Sequence, residues 1–117
     1  RFEYASMPTV GIFGLHAALE LLLAAGPERM GARILELTGA LAEGLAARGW
    51  RLHSPLDDDA ERSGILSASH PRRPAEEVVG RLAEAGVSVA ARAGAVRFSP
   101  HAWNTLDEVQ QLLERLP

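Results

Sequence analysis

Arginine and histidine alone carry the basic chemistry of this chain. Its 117 residues include twelve arginines and four histidines, with no lysine and no cysteine. Without lysine no side chain can form a Schiff base with an aldehyde, and without cysteine there is no thiolate nucleophile, disulfide or sulfur metal ligand. By itself the chain is not a complete Schiff-base or thiol enzyme. His16, His53, His70 and His101 show no metal-ligand spacing. Ser99-Pro100-His101 sets a serine close to a histidine, yet nothing marks the orienting acid of a triad. Asp57-Asp58-Asp59 reads as a solvated loop, because a calcium loop needs acids at alternating positions and a distal glutamate. The sequence has no G-x-S-x-G elbow, Walker loop, G-x-G-x-x-G or H-E-x-x-H. No catalytic residue and no metal site is assigned.

Arg97 is the more informative position. In a strand over 95–99, alternation turns Val96 and Phe98 to one face and Arg97 and Ser99 to the other. An arginine near a strand end can offer its planar fork to a carboxylate through two parallel hydrogen bonds. Spacing alone leaves open the plainer role of a surface arginine.

The elements that must position Arg97 are legible from periodicity. Val10 to Ala25 is apolar or glycine except for His16 and Glu20, which stand i, i+4 on one helical stripe. At this length, and with a glutamate, it reads as a soluble helix rather than a membrane span. A helix apolar nearly all round needs cover on more than one side. A domain of this size is expected to supply one side and another body the other. Gly26-Pro27 ends it and starts a second helix, in which Met30, Ile34, Leu37, Leu41 and Leu45 form one stripe up to Gly49. Strands are predicted over 50–53 and 64–69, with a polar loop between them. A helix follows from Pro74 to Gly86, with Val78, Val79, Leu82 and Ala85 turned inward. Two further strands, 87–92 and 95–99, meet at Ala93-Gly94. Thr105-x-x-Glu108 is a capping box for a last helix whose core side is Val109, Leu112, Leu113 and Leu116. The order ααββαββα predicts an α/β domain of the α+β type. Its sheet should be largely antiparallel or mixed, of about four strands, with helices packed on it.

Composition narrows the function classes. The chain is 47% hydrophobic and 23% charged, as folded domains are, and its length suits one core. A net charge of −3 argues against a nucleic-acid partner, which selects a basic stripe. Neither a membrane partner nor a signal peptide is read from Arg1-Phe2-Glu3-Tyr4. The missing initiator methionine and the strand-like opening lead to the expectation of a piece cut from a longer polypeptide. The lack of cysteine fits a reducing compartment, and a cytoplasmic location is expected.

The opening run Arg1-Phe2-Glu3-Tyr4-Ala5-Ser6-Met7-Pro8, followed by Gly11-Ile12-Phe13-Gly14-Leu15 and Ala18-Leu19, resembles a segment of the class V aminotransferases. These are pyridoxal-phosphate (PLP) enzymes that include cysteine desulfurases and kynureninases. The tail Val96-Arg97-Phe98-Ser99-Pro100-His101-Ala102-Trp103-Asn104-Thr105 is similar to the end of the same family. The resemblance implies that residues 1–8 are a lead-in from a missing large domain. Residues 9–117 would then be the C-terminal small domain of a fold-type-I PLP enzyme acting on an amino acid, a homodimer in its parent form. It implies that Arg97 holds the substrate's α-carboxylate and that Arg92 sits near the mouth of the site. Ser6 would reach the PLP phosphate of the neighbouring subunit, although Ala5 replaces the usual glycine and Ser6 the usual threonine. The Schiff-base lysine, the acid facing the pyridine nitrogen and the ring-stacking histidine would lie in the missing domain.

One departure bears on chemistry. Desulfurases of the family carry a persulfide-forming cysteine in a loop between the positions of Arg92 and Arg97. Here only Ala93-Gly94-Ala95-Val96 stands there, which favours amino-group chemistry over sulfur transfer. The competing expectation is a free-standing α/β ligand-binding or regulatory module without catalytic activity.

Overall fold

The computed structural model describes residues 8–58 and 60–117. Four helices and four strands run in the order α1 (Thr9–Ala25), α2 (Pro27–Ala47), β1 (Arg51–Leu52), β2 (Leu66–Ser69), α3 (Ala75–Glu84), β3 (Ala90–Arg92), β4 (Ala95–Phe98), α4 (Leu106–Arg115). The chain divides into two compact units, residues 1–30 and 31–117.

In the first unit, α1 is a helix over the predicted span, and His16 Nε2 lies 3.6 Å from Glu20 Oε1 as i, i+4 spacing requires. None of its residues is buried. Val10 is 88% exposed, and Phe13, Leu15, Leu21 and Leu23 are exposed as well. Among the described residues, no single helix is long and apolar enough to cross a membrane.

The second unit holds the sheet, a four-stranded antiparallel one in the order β1-β2-β4-β3. The strands are shorter than alternation predicts. β3 begins at Ala90, because Val87 and Val89 pack against the core without pairing. Leu66, Ala68, Val96 and Phe98 share one sheet face and are almost fully buried. The helices supply the facing layer: Leu37, Leu41 and Leu45 of α2, Val78 and Leu82 of α3, and Val109, Leu112 and Leu113 of α4. Ala85, expected inside, is exposed at the end of α3, and Ala75 at its start is buried instead.

Helix ends are set by local chemistry. After α2 the Trp50 N–H donates to the Leu45 carbonyl (3.1 Å) and the Gly49 N–H to Ala46 (2.9 Å). Gly49 supplies the positive φ of +76° that this closing motif needs. The motif drops Trp50 into the core at 5% exposure, where its ring meets Phe98 edge-on at 6.2 Å and His70 at 5.3 Å. The capping box of α4 is complete. The Glu108 N–H donates to Thr105 Oγ1 (3.1 Å), and the Thr105 N–H donates back to Glu108 Oε2 (2.9 Å). These bonds, the Thr105 N–H first and the Asn104 amide second, hold the Glu108 carboxyl below its ordinary value. The reciprocal cap is thus complete above the unfolded pKa and is released as pH falls through the lowered folded one.

Gly44 sits where α2 meets α4. A Cβ there would lie 2.8 Å from Leu113 Cδ2 and 3.1 Å from its Cγ, and Leu113 is itself buried. Gly80 in α3 has nothing within 4 Å of an added Cβ. The two glycines should therefore respond oppositely to alanine. Gly80→Ala should gain the helix preference of about 1 kcal/mol. Gly44→Ala should lose roughly 1–3 kcal/mol to overpacking, less that same gain. Urea midpoints at constant slope check both, and equal shifts of one sign would show that Leu113 can move aside.

Candidate functional site

β2 and β4 are the central strands of the sheet, and the residues between their core positions point away from the helices. Register fixes the result. Ser67 pairs with Arg97, Arg97 with Ala90, Ala95 with Arg92, and Arg51 with Ser69. The His53 N–H continues the β1–β2 ladder by donating to the Ser67 carbonyl at 2.8 Å. Directly opposed residues share a face. One row across the sheet therefore reads His53, Ser67, Arg97, Ala90, and the next reads Arg51, Ser69, Ala95, Arg92.

Arg97 lies where alternation predicts, opposite the buried Val96 and Phe98. It is half-buried. Among the described residues it has no hydrogen bond and no ion pair, and its Nε is buried without a partner. Most other arginines on helices or loops are engaged. Arg33 donates to Glu36 (2.6 Å) and to the Asn104 carbonyl (3.2 Å), Arg62 donates to the Leu35 carbonyl (3.2 Å), and Arg73 is bonded to Glu77. A guanidinium with its body packed and its donors free is primed for an oxyanion, since five N–H groups then lack an acceptor other than water. Arg92 is exposed on the edge strand β3 and shares Arg97's face. Ser6 lies outside the described residues.

The segment after β4 is tied down. The His101 N–H donates to Asn104 Oδ1 (2.8 Å), Asn104 Nδ2 donates to Glu108 Oε2 (3.1 Å), and the His101 ring stacks on Trp103 at 3.6 Å. Ser99 and His101 have no acid placed to complete a triad, and no group of three or more metal-ligating side chains occurs among the described residues. Between β3 and β4 the chain turns in two residues, Ala93 at φ +50° and Gly94 at φ +76°. Both central positions are left-handed, as a type I′ hairpin requires.

A cleft of about 710 Å³ lies elsewhere, lined by Arg48, His70, Arg72 and Arg73 with Glu114. It touches neither Arg97 nor Arg92, and Arg48 and Arg73 already have partners, the Gly44 carbonyl and Glu77. The sheet face holds the better set of free donors. Periodicity does not single out His53, Ser67 and Arg51 as members of it. The alternation of Leu66 and Ala68 with Ser67 and Ser69 is the available signal, but β-strand pairing is needed to use it.

No protein-family model matches the chain, and comparison with curated proteins finds no match. Solved structures do match. The chain is similar to an apo cysteine desulfurase from Thermococcus onnurineus NA1, with a TM-score of 0.90 at 24% identity over 97% of this chain. It is similar to a NifS-like protein (TM-score 0.83, 24% identity, 96% of this chain). It is also similar to a cystine C-S lyase in complex with its product cysteine persulfide (TM-score 0.82, 24% identity, 98% of this chain). The shared property at this identity is the fold. The chain spans about a third of the length of these structures, 32%, 33% and 31% in turn.

Proposed function

We propose that this chain is the C-terminal domain of a PLP-dependent, class V aminotransferase-like enzyme acting on an amino acid, and that Arg97 holds the substrate's α-carboxylate. The observation that carries this reading is the Arg97 fork, unpartnered among the described residues, on the face of a central strand turned away from α2, α3 and α4. Packing of its stem limits its rotamers, so less freedom is lost when two parallel hydrogen bonds to a carboxylate form. Arg97 would thereby fix the orientation of the amino acid, and Arg92 would stand at the edge of the same site. The exposed apolar α1 supports a missing large domain, for which it would be a docking element. A cytoplasmic homodimer is part of the same proposal.

The residues of this chain do not fit PLP as a resident group, because none is a lysine. When bound in the parent enzyme, the cofactor supplies the electron sink for amino-acid chemistry. Its attachment belongs to the missing part, and Ser6 would be this chain's own contribution toward its phosphate. Incubating the 117-residue chain with PLP and then borohydride should leave no stoichiometric side-chain adduct. Mass spectrometry of the peptides checks this, and an adduct anywhere but the N-terminal amine would refute it.

The two-residue Ala93–Gly94 turn leaves no loop to carry a persulfide-forming cysteine toward the site. That supports amino-group chemistry over sulfur transfer, in contrast to the activities for which the similar structures are named. The test is an absorbance spectrum of the protein at its native length, with PLP bound, titrated with individual amino acids. Spectral change with amino acids but not with amines lacking the carboxylate is the expected result. A native chain that starts near Arg1 and binds no PLP would instead leave the free-standing module.

A further inference from the structure

Three of the arginines that carry no hydrogen bond or ion pair among the described residues, Arg51, Arg92 and Arg97, lie on one face of one small sheet. None of the strand residues on that face is an aspartate or glutamate. The other members are small or hydroxyl-bearing: Ser67, Ser69, Ala90 and Ala95, with His53 sharing a 2.8 Å hydrogen bond with Ser69 Oγ. Like charges gathered on one sheet face repel one another, and an acid on a neighbouring strand would relieve them. No strand residue described on this face is such an acid. A ligand with more than one negative charge would relieve them.

Geometry narrows the choice of second donor. Arg92 pairs with Ala95, two residues from Arg97 on the neighbouring strand. Such diagonal neighbours lie about 7–8 Å apart. Arg51 is two strands away from β4 and farther off. Guanidiniums at the shorter spacing can each take one end of a short aliphatic diacid, a carboxylate per fork. Ala90 and Ala95, which share that face, end at Cβ and carry no polar group to compete for the forks.

We infer that the substrate is an acidic one, a dicarboxylate whose α-carboxylate is held by Arg97 and whose second carboxylate is held by Arg92. This rests on the proposed role of Arg97 and adds the substrate class to it. Arg92 acts as a specificity residue: it discriminates by binding a group that a monocarboxylate lacks, and it touches no reacting bond.

The test is calorimetric binding of glutarate and of butyrate to the protein at its native length, for the unmodified form, Arg92→Gln and Arg97→Gln. Glutarate should bind at least tenfold more tightly than butyrate. Arg92→Gln should erase that difference by weakening glutarate far more than butyrate, and Arg97→Gln should weaken both ligands. Equal binding of the two acids by the unmodified protein overturns the second-carboxylate assignment alone, provided Arg97→Gln still weakens butyrate. A tenfold preference that survives Arg92→Gln overturns it as well. Butyrate binding that ignores Arg97→Gln removes the Arg97 reading and this inference together.

Discussion

Arg97→Lys, made in the protein at its native length, should lower kcat/KM for amino acid substrates by about 30- to 4,000-fold. That range is a loss of roughly 2–5 kcal/mol, the cost of truncating a desolvated charge-assisted contact. Arg97 has no partner among the described residues and its Nε is already out of solvent, so no protein acceptor competes with a ligand for its donors. Lysine keeps the charge but offers a compact ammonium in place of two parallel N–H groups, and it cannot reproduce the bidentate grip. The loss should shrink for amines that lack the α-carboxylate. Equal losses for both substrate types would make Arg97 a structural residue. Stability is the control: with no hydrogen bond or ion pair among the described residues to break, and with lysine's stem to replace the packed methylenes, the substitution should move the unfolding midpoint little.

One residue along the same strand the outcome reverses. Phe98→Ala should destabilise the domain by about 3–5 kcal/mol, the usual cost of emptying a buried aromatic site. Phe98 is the largest of the fully buried side chains at 2% exposure, and Trp50 packs edge-on against it. Its cavity would open between sheet and helices, in the same buried cluster as Leu41 and Leu112. Small domains are stable by only about 5–15 kcal/mol, so this single change should bring the chain close to unfolding at room temperature. Urea denaturation followed by circular dichroism measures it. A loss below about 1 kcal/mol would mean that the core relaxes around the site, contrary to its packing.

The contrast between these neighbours is legible in the amino-acid sequence, because β-strand alternation is a local rule and Val96-Arg97-Phe98 states it in three residues. The same holds for the capping box Thr105–Glu108, the helix stop at Gly49 and the tight turn at Ala93–Gly94, each decided by two to four consecutive residues. Element ends are less legible. Val87 and Val89 have the residue types of a strand, but no partner runs beside them, so β3 begins at Ala90. Ala85 and Ala75 exchange places between core and surface because helix periodicity locates a face but does not say where the sheet beneath it stops.

By itself, then, the sequence determined the eight elements, the inward side of most of them, and the absence of any amine or thiol side chain for covalent catalysis. Those properties depend on near neighbours in the chain or on composition. Tertiary structure alone decided the order β1-β2-β4-β3. That order carries His53 and Ser67 into one row with Arg97, and Arg51 and Ser69 into the next with Arg92. It also set Gly44 against Leu113 and left α1 without a buried residue. Pairings between segments tens of residues apart leave no period in the sequence, since they depend on which surfaces meet once each element has formed.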